Sequence, residues 1–294
     1  MTTPARDHAY WFGLIGYPLE HSLSPRLHTA ALRDAGLTGR YDLFPVDPQD
    51  SCEERLRGLV EDLRARRLDG LNVTIPHKQN VMEFVEVLSP VARSVGAVNT
   101  LYERGGYIHG ENTDVGGFTH ALQRLWNLPP GRALVLGAGG SARAVAYALS
   151  REGWQVVVFA RRAAQSAELA EGLNRLPDCA GRLASGKLDP LTMSGQSADL
   201  VVNTTPLGMY PKVDASPWPD DMPLPSGAVV YDLVYNPLGT QFVRRAKAQG
   251  LRAASGMSML AAQAALAFGL WTGLEPPFSV MEKAGLALRT EGGE

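Results

Sequence analysis

The sequence has few of the residues that build disulfide frameworks or metal centres. Only two of its 294 residues are cysteine, Cys52 and Cys179. They lie far apart and match neither a disulfide framework nor the spacing of metal-binding cysteines. The six histidines form no HxxxH or HxH pair, so the sequence does not support a zinc site. We therefore expect a protein without a bound metal, from a reducing compartment.

Long apolar runs and an excess of charge of one sign are also absent. The first residues lack the apolar stretch of a signal peptide. The longest apolar run, near Met259–Trp271, contains Gln263 and is shorter than the ~20 residues that a helix needs to cross a bilayer. The formal net charge is −2, so no strong field favours nucleic acid or an anionic membrane. We expect a cytoplasmic protein that binds neither.

The length and composition predict a folded α/β protein with two domains. Hydrophobic residues make up 45% of the chain and charged residues 20%, as in globular proteins, and a domain usually has roughly 150 residues. The first third alternates strand-like and helix-like segments, which indicates βαβ units and a mostly parallel sheet. The predicted strands are Tyr10–Gly16, Tyr41–Val46 and Leu71–Ile75, the helices are Pro25–Ala35 and Glu53–Arg66, and Gly105-Gly106 joins a hairpin of Ala97–Tyr102 and Tyr107–His109.

After Asp114 the pattern becomes that of a nucleotide-binding domain. Predicted strands are Ala133–Gly137, Gln155–Phe159, Asp199–Asn203 and Ala228–Val234; predicted helices are Val115–Trp126, Gly140–Arg151, Gly256–Trp271 and Pro277–Leu288, and Pro206–Pro225 is a proline-rich loop. We predict a substrate domain at residues 1–114, a dinucleotide-binding domain at 115–255, and helices at 256–294 that return to the first domain.

The segment GAGGSA, residues 137–142, matches the glycine-rich fingerprint of dinucleotide-binding domains. Gly137 permits a tight turn, Gly139 lets the backbone approach a pyrophosphate, and Ala142 lets the helix pack closely on the strand. The helix N-terminus offers N–H groups to the phosphates. The strand before, the helix after and the next strand supply the required context. We favour dinucleotide binding over a purely structural turn.

The end of the next strand favours NADP over NAD. An NAD site usually has Asp or Glu about 20 residues beyond the glycines, whereas this chain has Ala160, Arg161 and Arg162. Guanidinium groups suit a 2′-phosphate dianion, which an acid would repel. The alternative is two solvated arginines, because only five of the 28 basic residues are lysine.

Two serines precede the first predicted helix, in HSLSP at residues 21–25. Ser24, followed by Pro25, is predicted to cap that helix. Ser22 has no such local role.

Other polar residues lie where the predicted strands end. NVTIPHK, residues 72–78, places Thr74 and Lys78 at the carboxyl end of a strand, where open α/β sheets bind ligands. GAVNT and ENTD add Asn99 and Asp114. Each of these residues alone is typical of a turn or a cap.

Taken together, the segments resemble the shikimate dehydrogenase family. The ordered segments that carry the resemblance are GYPLEHSLSP, NVTIPHK, GAVNT, ENTD, GAGGSAR, NTTPLGM, YDLVYNP and MLAAQ. The resemblance implies an N-terminal α/β substrate domain and a Rossmann domain, with the active site in the cleft between them. It also implies reversible NADPH-dependent reduction of 3-dehydroshikimate to shikimate, in aromatic amino-acid biosynthesis, by a monomer or homodimer.

The resemblance further implies roles for individual residues. Lys78 matches the catalytic lysine, and Asp114 would orient the substrate hydroxyl and Lys78. Ser22 and Ser24 match the serines that hold the substrate carboxylate. The other substrate positions are Thr74, Asn99, Asp114, Tyr235 and Gln263. The cofactor positions are Gly137, Ala138, Gly139, Gly140, Ser141, Ala160, Arg161, Arg162, Thr205, Leu233 and Gly256. The family commonly has Asn-Arg-Thr where this chain has Ala160-Arg161-Arg162, so a phosphate contact from Arg162 is a hypothesis.

Three alternatives stay open. A quinate/shikimate dehydrogenase of relaxed substrate and cofactor choice would share these motifs. The first-domain segments disfavour another Rossmann dehydrogenase acting on a different small carboxylate. A non-catalytic dinucleotide sensor is expected to lose Lys78 or Asp114, and both are present.

Overall fold

Residues 8–287 are described by a computed structural model, in which the chain divides into two α/β units. Unit 1 contains the described residues up to Ser89, then Val98–Thr113 and the residues from Ala264 onward. Unit 2 contains Pro90–Ala97 and Asp114–Gln263. Parts of the predicted segments 1–114 and 256–294, including Leu288 of the last predicted helix, lie outside the described residues. The predicted domain boundaries and the predicted cleft stay predictions.

The helices and strands alternate along most of the chain. The first half contains β1 (Tyr10–Gly16), α1 (Ser24–Asp34), β2 (Gly39–Pro45), α2 (Cys52–Arg64), β3 (Gly70–Val73), β4 (Val87–Leu88), α3 (Pro90–Val95), β5 (Thr100–Arg104), β6 (Tyr107–Glu111), α4 (Thr113–Leu125), β7 (Arg132–Leu136) and α5 (Gly140–Arg151). The second half contains β8 (Gln155–Ala160), α6 (Ala163–Asn174), β9 (Leu183–Lys187), α7 (Pro190–Met193), β10 (Leu200–Asn203), β11 (Val229–Asp232), α8 (Gln241–Ala248), β12 (Ala253–Ser255), α9 (Met257–Thr272) and α10 (Phe278–Leu286).

Every helix and strand predicted from the sequence is present, with its ends shifted by a few residues at most. The predicted α/β fold class is therefore confirmed. The hairpin of β5 and β6 is also confirmed, and Gly105 and Gly106 have φ values of 65° and 88°, as a type I′ turn requires.

The prediction that Ser24 caps helix α1 is wrong. Leu23 holds the cap position with helical dihedral angles of −89° and −5°, and the N–H group of Leu27 already bonds to its carbonyl at 3.1 Å. The helix thus begins one residue early, which takes the Ser24 side chain out of the cap position. Ser22 Oγ accepts a 3.3 Å hydrogen bond from the Ser24 N–H group. Ser22, and not Ser24, therefore accepts a local backbone hydrogen bond at the start of α1, which the sequence did not predict.

Unit 1 has a mixed six-stranded sheet in the order β2-β1-β3-β5-β6-β4. Trp271 of α9 packs directly on β3, because a Cβ atom at Gly70 would lie 2.4 Å from its indole ring. The indole stacks on Phe12 at 4.6 Å, and its Nε1 donates to the Leu101 carbonyl at 3.1 Å. A residue near the end of the chain therefore completes the core over the first strands.

Unit 2 has a parallel six-stranded sheet in the order β12-β11-β10-β7-β8-β9. This is the strand order of the Rossmann dinucleotide-binding fold. It confirms the Rossmann domain that was predicted from the sequence. Val135 and Val202 lie in a core on one face, whereas Leu134 and Val201 lie in a core on the other. Burial on both faces explains the continuous apolar runs of these strands.

No helix within residues 8–287 is long and apolar enough to cross a membrane. In the same part of the chain, no group of three or more His, Cys, Asp or Glu residues could hold a metal ion.

Candidate active site

The carboxyl end of β1 lies beside the turn that follows β3 in unit 1. The Thr74 N–H group donates to the Ile15 carbonyl at 2.8 Å. A Cβ atom at Gly16 would lie 2.3 Å from Thr74 Cγ2 and 2.9 Å from Leu19. The Ser22 N–H group in turn donates to the Leu19 carbonyl at 2.9 Å. The fold therefore brings Thr74 and the serine loop, which we define as residues 21–25, to one edge of the sheet.

Lys78 and Asn99 are held at the same edge by backbone hydrogen bonds. The Val98 N–H group donates to the Lys78 carbonyl at 2.7 Å, and the Val73 N–H group donates to the Asn99 carbonyl at 2.8 Å. Lys78 is half-buried and Asn99 is buried. Both predicted residues thus lie beside the end of β3.

A buried histidine anchors the turn that carries Lys78. His77 is fully buried, and its Nε2 lies 2.6 Å from the Val46 carbonyl, to which it donates. Burial raises the pKa of the Cys52 thiol, so this thiol stays protonated and donates to His77 Nδ1 at 3.6 Å. Both ring nitrogens are thereby satisfied, which fixes the backbone next to Lys78.

The side chain of Asn99 is oriented by a buried polar network. Its Oδ1 accepts from the Thr113 N–H group at 2.7 Å, and its Nδ2 donates to Thr113 Oγ1 at 3.0 Å. Asn72 Nδ2 donates to Thr100 Oγ1 at 3.2 Å, and Tyr41 donates to Asn72 Oδ1 at 2.9 Å. The backbone donor fixes which end of the Asn99 amide is oxygen.

In unit 2 the glycine loop has the conformation that its sequence predicts. Gly137 has a φ of 120°, and a Cβ atom there would lie 2.4 Å from Thr204 Oγ1. A Cβ atom at Gly139 would meet no atom of the described residues within 4 Å. Helix α5 begins at Gly140, and the cap residue, Gly139, has no side chain to bond the first N–H groups. Open backbone at a helix N-terminus fits the pyrophosphate of a dinucleotide.

The other predicted cofactor residues follow neighbouring strands at this edge. Asn203 pairs with Asp232 in register, so Thr205 and Leu233 leave the sheet side by side. The Leu233 N–H group donates to the Asn203 carbonyl at 2.9 Å. A Cβ atom at Gly256 would lie 2.1 Å from the Leu233 carbonyl oxygen. Unit 2 therefore brings these residues to the edge that carries the glycine loop. Ala138 and Ser141 lie within that loop and the first turn of α5.

Asp232 is a buried carboxylate that sequence reasoning did not single out. It accepts hydrogen bonds from Asn203 Nδ2 at 2.8 Å, from Thr240 Oγ1 at 2.6 Å and from the Val234 N–H group at 3.0 Å. Burial raises the pKa of Asp232 to about 6 despite these three donors. Asn203 Oδ1 accepts from the Thr205 N–H group at 2.9 Å. The available signal was a polar residue at the end of each apolar strand, in NTT and YDL.

Three predicted substrate residues belong to unit 2. Asp114 is buried in the first turn of α4. A Cβ atom at Gly117 would lie 2.8 Å from Gln263 Cβ, so α4 and α9 are in close contact near both residues. Gln263 Nε2 donates to the Leu260 carbonyl at 2.8 Å. Tyr235 is half-buried, three residues beyond the end of β11.

Arg161 and Arg162 are exposed immediately after β8, which ends at Ala160. Among the described residues, neither guanidinium group makes an ion pair. The two charges are therefore available to an anionic ligand.

The fold and these residues define a two-unit α/β protein with a Rossmann-type dinucleotide-binding unit. Residues 14–101 match the family described as the shikimate dehydrogenase substrate binding domain, and residues 256–284 match the shikimate 5'-dehydrogenase C-terminal domain. The chain belongs to the shikimate dehydrogenase family, which confirms the resemblance seen in its sequence.

Curated and solved relatives cover nearly the whole chain. The shikimate dehydrogenase (NADP(+)) of Methanothermobacter thermautotrophicus is 41% identical over 273 residues, which are 92% of this chain and 94% of that protein. The shikimate 5-dehydrogenase of Thermus thermophilus, in complex with NADP(H) and shikimate, is 40% identical with a TM-score of 0.82, over 94% of this chain and 98% of that one. The quinate dehydrogenase of Corynebacterium glutamicum, in complex with NAD, is 31% identical with a TM-score of 0.83, over 95% and 99%.

Proposed function

We propose that this chain catalyses the reversible NADPH-dependent reduction of 3-dehydroshikimate to shikimate, and that the residues named from the sequence form its active site. The chain is an oxidoreductase that acts on a CH–OH group, its cofactor is NADP and its substrate is a small molecule. The observation that carries the residue assignment is the arrangement in unit 1, where the serine loop, Thr74, Lys78 and Asn99 lie at one sheet edge. The compartment and the choice between monomer and homodimer stay predictions.

The substrate carboxylate is assigned to the serine loop. Hydroxyl groups of Ser22 and Ser24 donate to a carboxylate without adding charge, and such charge-assisted hydrogen bonds are stronger than neutral ones. The ring hydroxyls are assigned to Thr74 and to Asn99, whose amide is already oriented by Thr113. Tyr235 and Gln263 contact the reacting end of the substrate. These contacts fix the carbonyl carbon in one position.

The reacting carbonyl needs a proton donor, because negative charge develops on its oxygen as the carbon is reduced. The cofactor supplies the hydride, and the protein supplies placement and charge. The Lys78 ammonium stabilises the developing oxyanion and donates the proton to it. In the direction of alcohol oxidation, the neutral Lys78 amine accepts that proton. Asp114 orients the substrate hydroxyl and balances the charge of Lys78.

A quinate/shikimate dehydrogenase is the second candidate, because the quinate dehydrogenase named above has a similar fold over nearly its whole length. The decisive measurement is kcat/KM for shikimate and quinate, each with NADP and with NAD. We expect the highest value for shikimate with NADP. Comparable values for quinate, or a preference for NAD, would favour the second candidate. No turnover of either substrate would refute the proposed function.

A further inference from the structure

Strand β9 brings a further cation next to the two arginines. In the parallel pairing of β8 with β9, Ala160 lies opposite Lys187, and the Leu188 N–H group donates to the Ala160 carbonyl at 2.9 Å. Lys187 is thus the last residue of β9. The neighbouring strand, β8, leads directly into Arg161 and Arg162. It is one of only five lysines in the chain.

Lys187 lies on the face of the sheet that carries helix α6. Residues paired in a parallel sheet lie on the same face, and every second residue returns to it. Val156 and Leu183, which pair further back along the same strands, both lie in the core that contains the apolar side of α6. Ser166, in the first turns of α6, donates to the Gly186 carbonyl at 2.8 Å. Because α6 begins at Ala163, directly after Arg162, its start lies beside the end of β9.

The lysine is exposed and held in place by one acid. Its Nζ lies 3.2 Å from Asp189 Oδ2. Asp189 Oδ1 caps the next helix by accepting from the Thr192 N–H group at 2.9 Å. The cap lowers the pKa of Asp189, with a smaller contribution from Lys187, so the carboxyl is ionised at neutral pH. Three cations and one anion therefore surround the end of β8, a net charge of +2 that matches a phosphate dianion.

We propose that Lys187 is a third cationic contact for the 2′-phosphate of NADP and helps to determine the preference for NADP over NAD. The proposal rests on the proposed function and extends it to a strand that the sequence did not predict. Asp189 holds the ammonium group near the site and reduces its charge, so that phosphate competes with the carboxylate for Lys187. The two arginines supply the remaining charge.

The test measures binding of ligand fragments as well as turnover. Calorimetry with 2′,5′-ADP and with 5′-AMP separates the 2′-phosphate from the rest of the nucleotide. We expect Lys187→Gln to weaken 2′,5′-ADP binding about two- to fivefold, the scale of an exposed ion pair, and to leave 5′-AMP binding unchanged. Lys187→Arg should retain the binding. Asp189→Asn keeps an oxygen for the helix cap but removes the charge that competes for Lys187. It should tighten the binding of 2′,5′-ADP and leave the binding of 5′-AMP unchanged.

Two further variants distinguish the possible failures. Lys247→Gln removes an exposed lysine from α8, which packs on β11 and β12. This control should change the affinity for neither 2′,5′-ADP nor 5′-AMP. If Arg161→Ala abolishes the preference for 2′,5′-ADP while Lys187→Gln leaves it intact, the lysine serves only its ion pair with Asp189. That result overturns this proposal and retains the proposed function. A wild-type protein with no preference for 2′,5′-ADP overturns both.

Discussion

Asn203 donates a hydrogen bond from Nδ2 to Oδ1 of Asp232 at 2.8 Å, across the adjacent strands β10 and β11. The same asparagine holds the Thr205 N–H group, and Asp232 holds the Val234 N–H group next to Leu233. One side-chain pair therefore fixes the backbone after both strands, next to the predicted cofactor residues Thr205 and Leu233. The carboxylate is buried, so this geometry has an electrostatic cost that varies with pH.

Replacing Asp232 by Asn should destabilise the protein by a pH-dependent amount. The pKa of Asp232 is about 6 in the folded protein, above its ordinary value of 3.8. The unfolded chain therefore loses this proton first, and the contribution of Asp232 to stability decreases as pH rises from about 4 to about 6, by up to ~1.4 kcal/mol per pH unit. Denaturant unfolding at pH 4.5 and at pH 7 should show a larger loss for Asp232→Asn at pH 4.5. An equal loss at both values would contradict the prediction.

His28 should make unit 1 sensitive to acid. Burial lowers the pKa of His28 to about 3, neither ring nitrogen has a hydrogen-bond partner within residues 8–287, and the ring stacks on Tyr41 at 4.3 Å. The unfolded chain binds a proton at this histidine near pH 6.5, so folding stability falls as pH decreases from about 6.5 towards 3. His28→Phe preserves the ring stacking and should unfold at a denaturant concentration that changes less between pH 7 and pH 5. If both proteins lose stability in parallel, His28 does not carry the effect.

Lys78→Ala should lower kcat by about 10²–10⁴, the usual effect of removing a positioned acid–base group. Shikimate binding should weaken far less, because the serine loop and Asn99 remain. The variant needs measurement under conditions where chemistry limits turnover. Lys212→Ala, in the long loop before β11, is a control that should keep wild-type kcat. A Lys78→Ala enzyme within about tenfold of wild type would exclude the proposed role.

Ser22→Ala should weaken shikimate binding roughly ten- to hundredfold, as expected for loss of a hydrogen bond to a charged group. The affinity for NADP should stay unchanged. The hydrogen bond from the Ser24 N–H group to Ser22 Oγ is lost as well, but it is long, at 3.3 Å. Ser22→Thr keeps the hydroxyl and separates loss of a donor from a change in the loop. Unchanged shikimate affinity for Ser22→Ala by calorimetry would place the carboxylate elsewhere.

The sequence predicted the elements that have a clear pattern, such as the apolar strands β7 and β10 and the alanine-rich helix α5. Short edge strands were not predicted, because β9 (LASGK) and β12 (AAS) have too few apolar residues to show alternation. Candidate site residues in loops after strands were predicted from their motifs. Asp232 and Lys187 were not, since their importance comes from neighbours on other strands, and register is not visible in a single sequence. The prediction that Ser24 caps α1 was wrong for a local reason, because the helix begins one residue earlier than predicted.

Trp271 of α9, stacked on Phe12 and fitted against Gly70, bears on the order in which a growing chain can fold. Domains generally fold during synthesis from the N-terminus onward. Here the ribosome must synthesise residues 114–263 before it reaches Trp271, the residue that covers the first strands. The second unit can therefore fold first, and the core that Trp271 forms with β1 and β3 closes only after residues 114–263 have been synthesised.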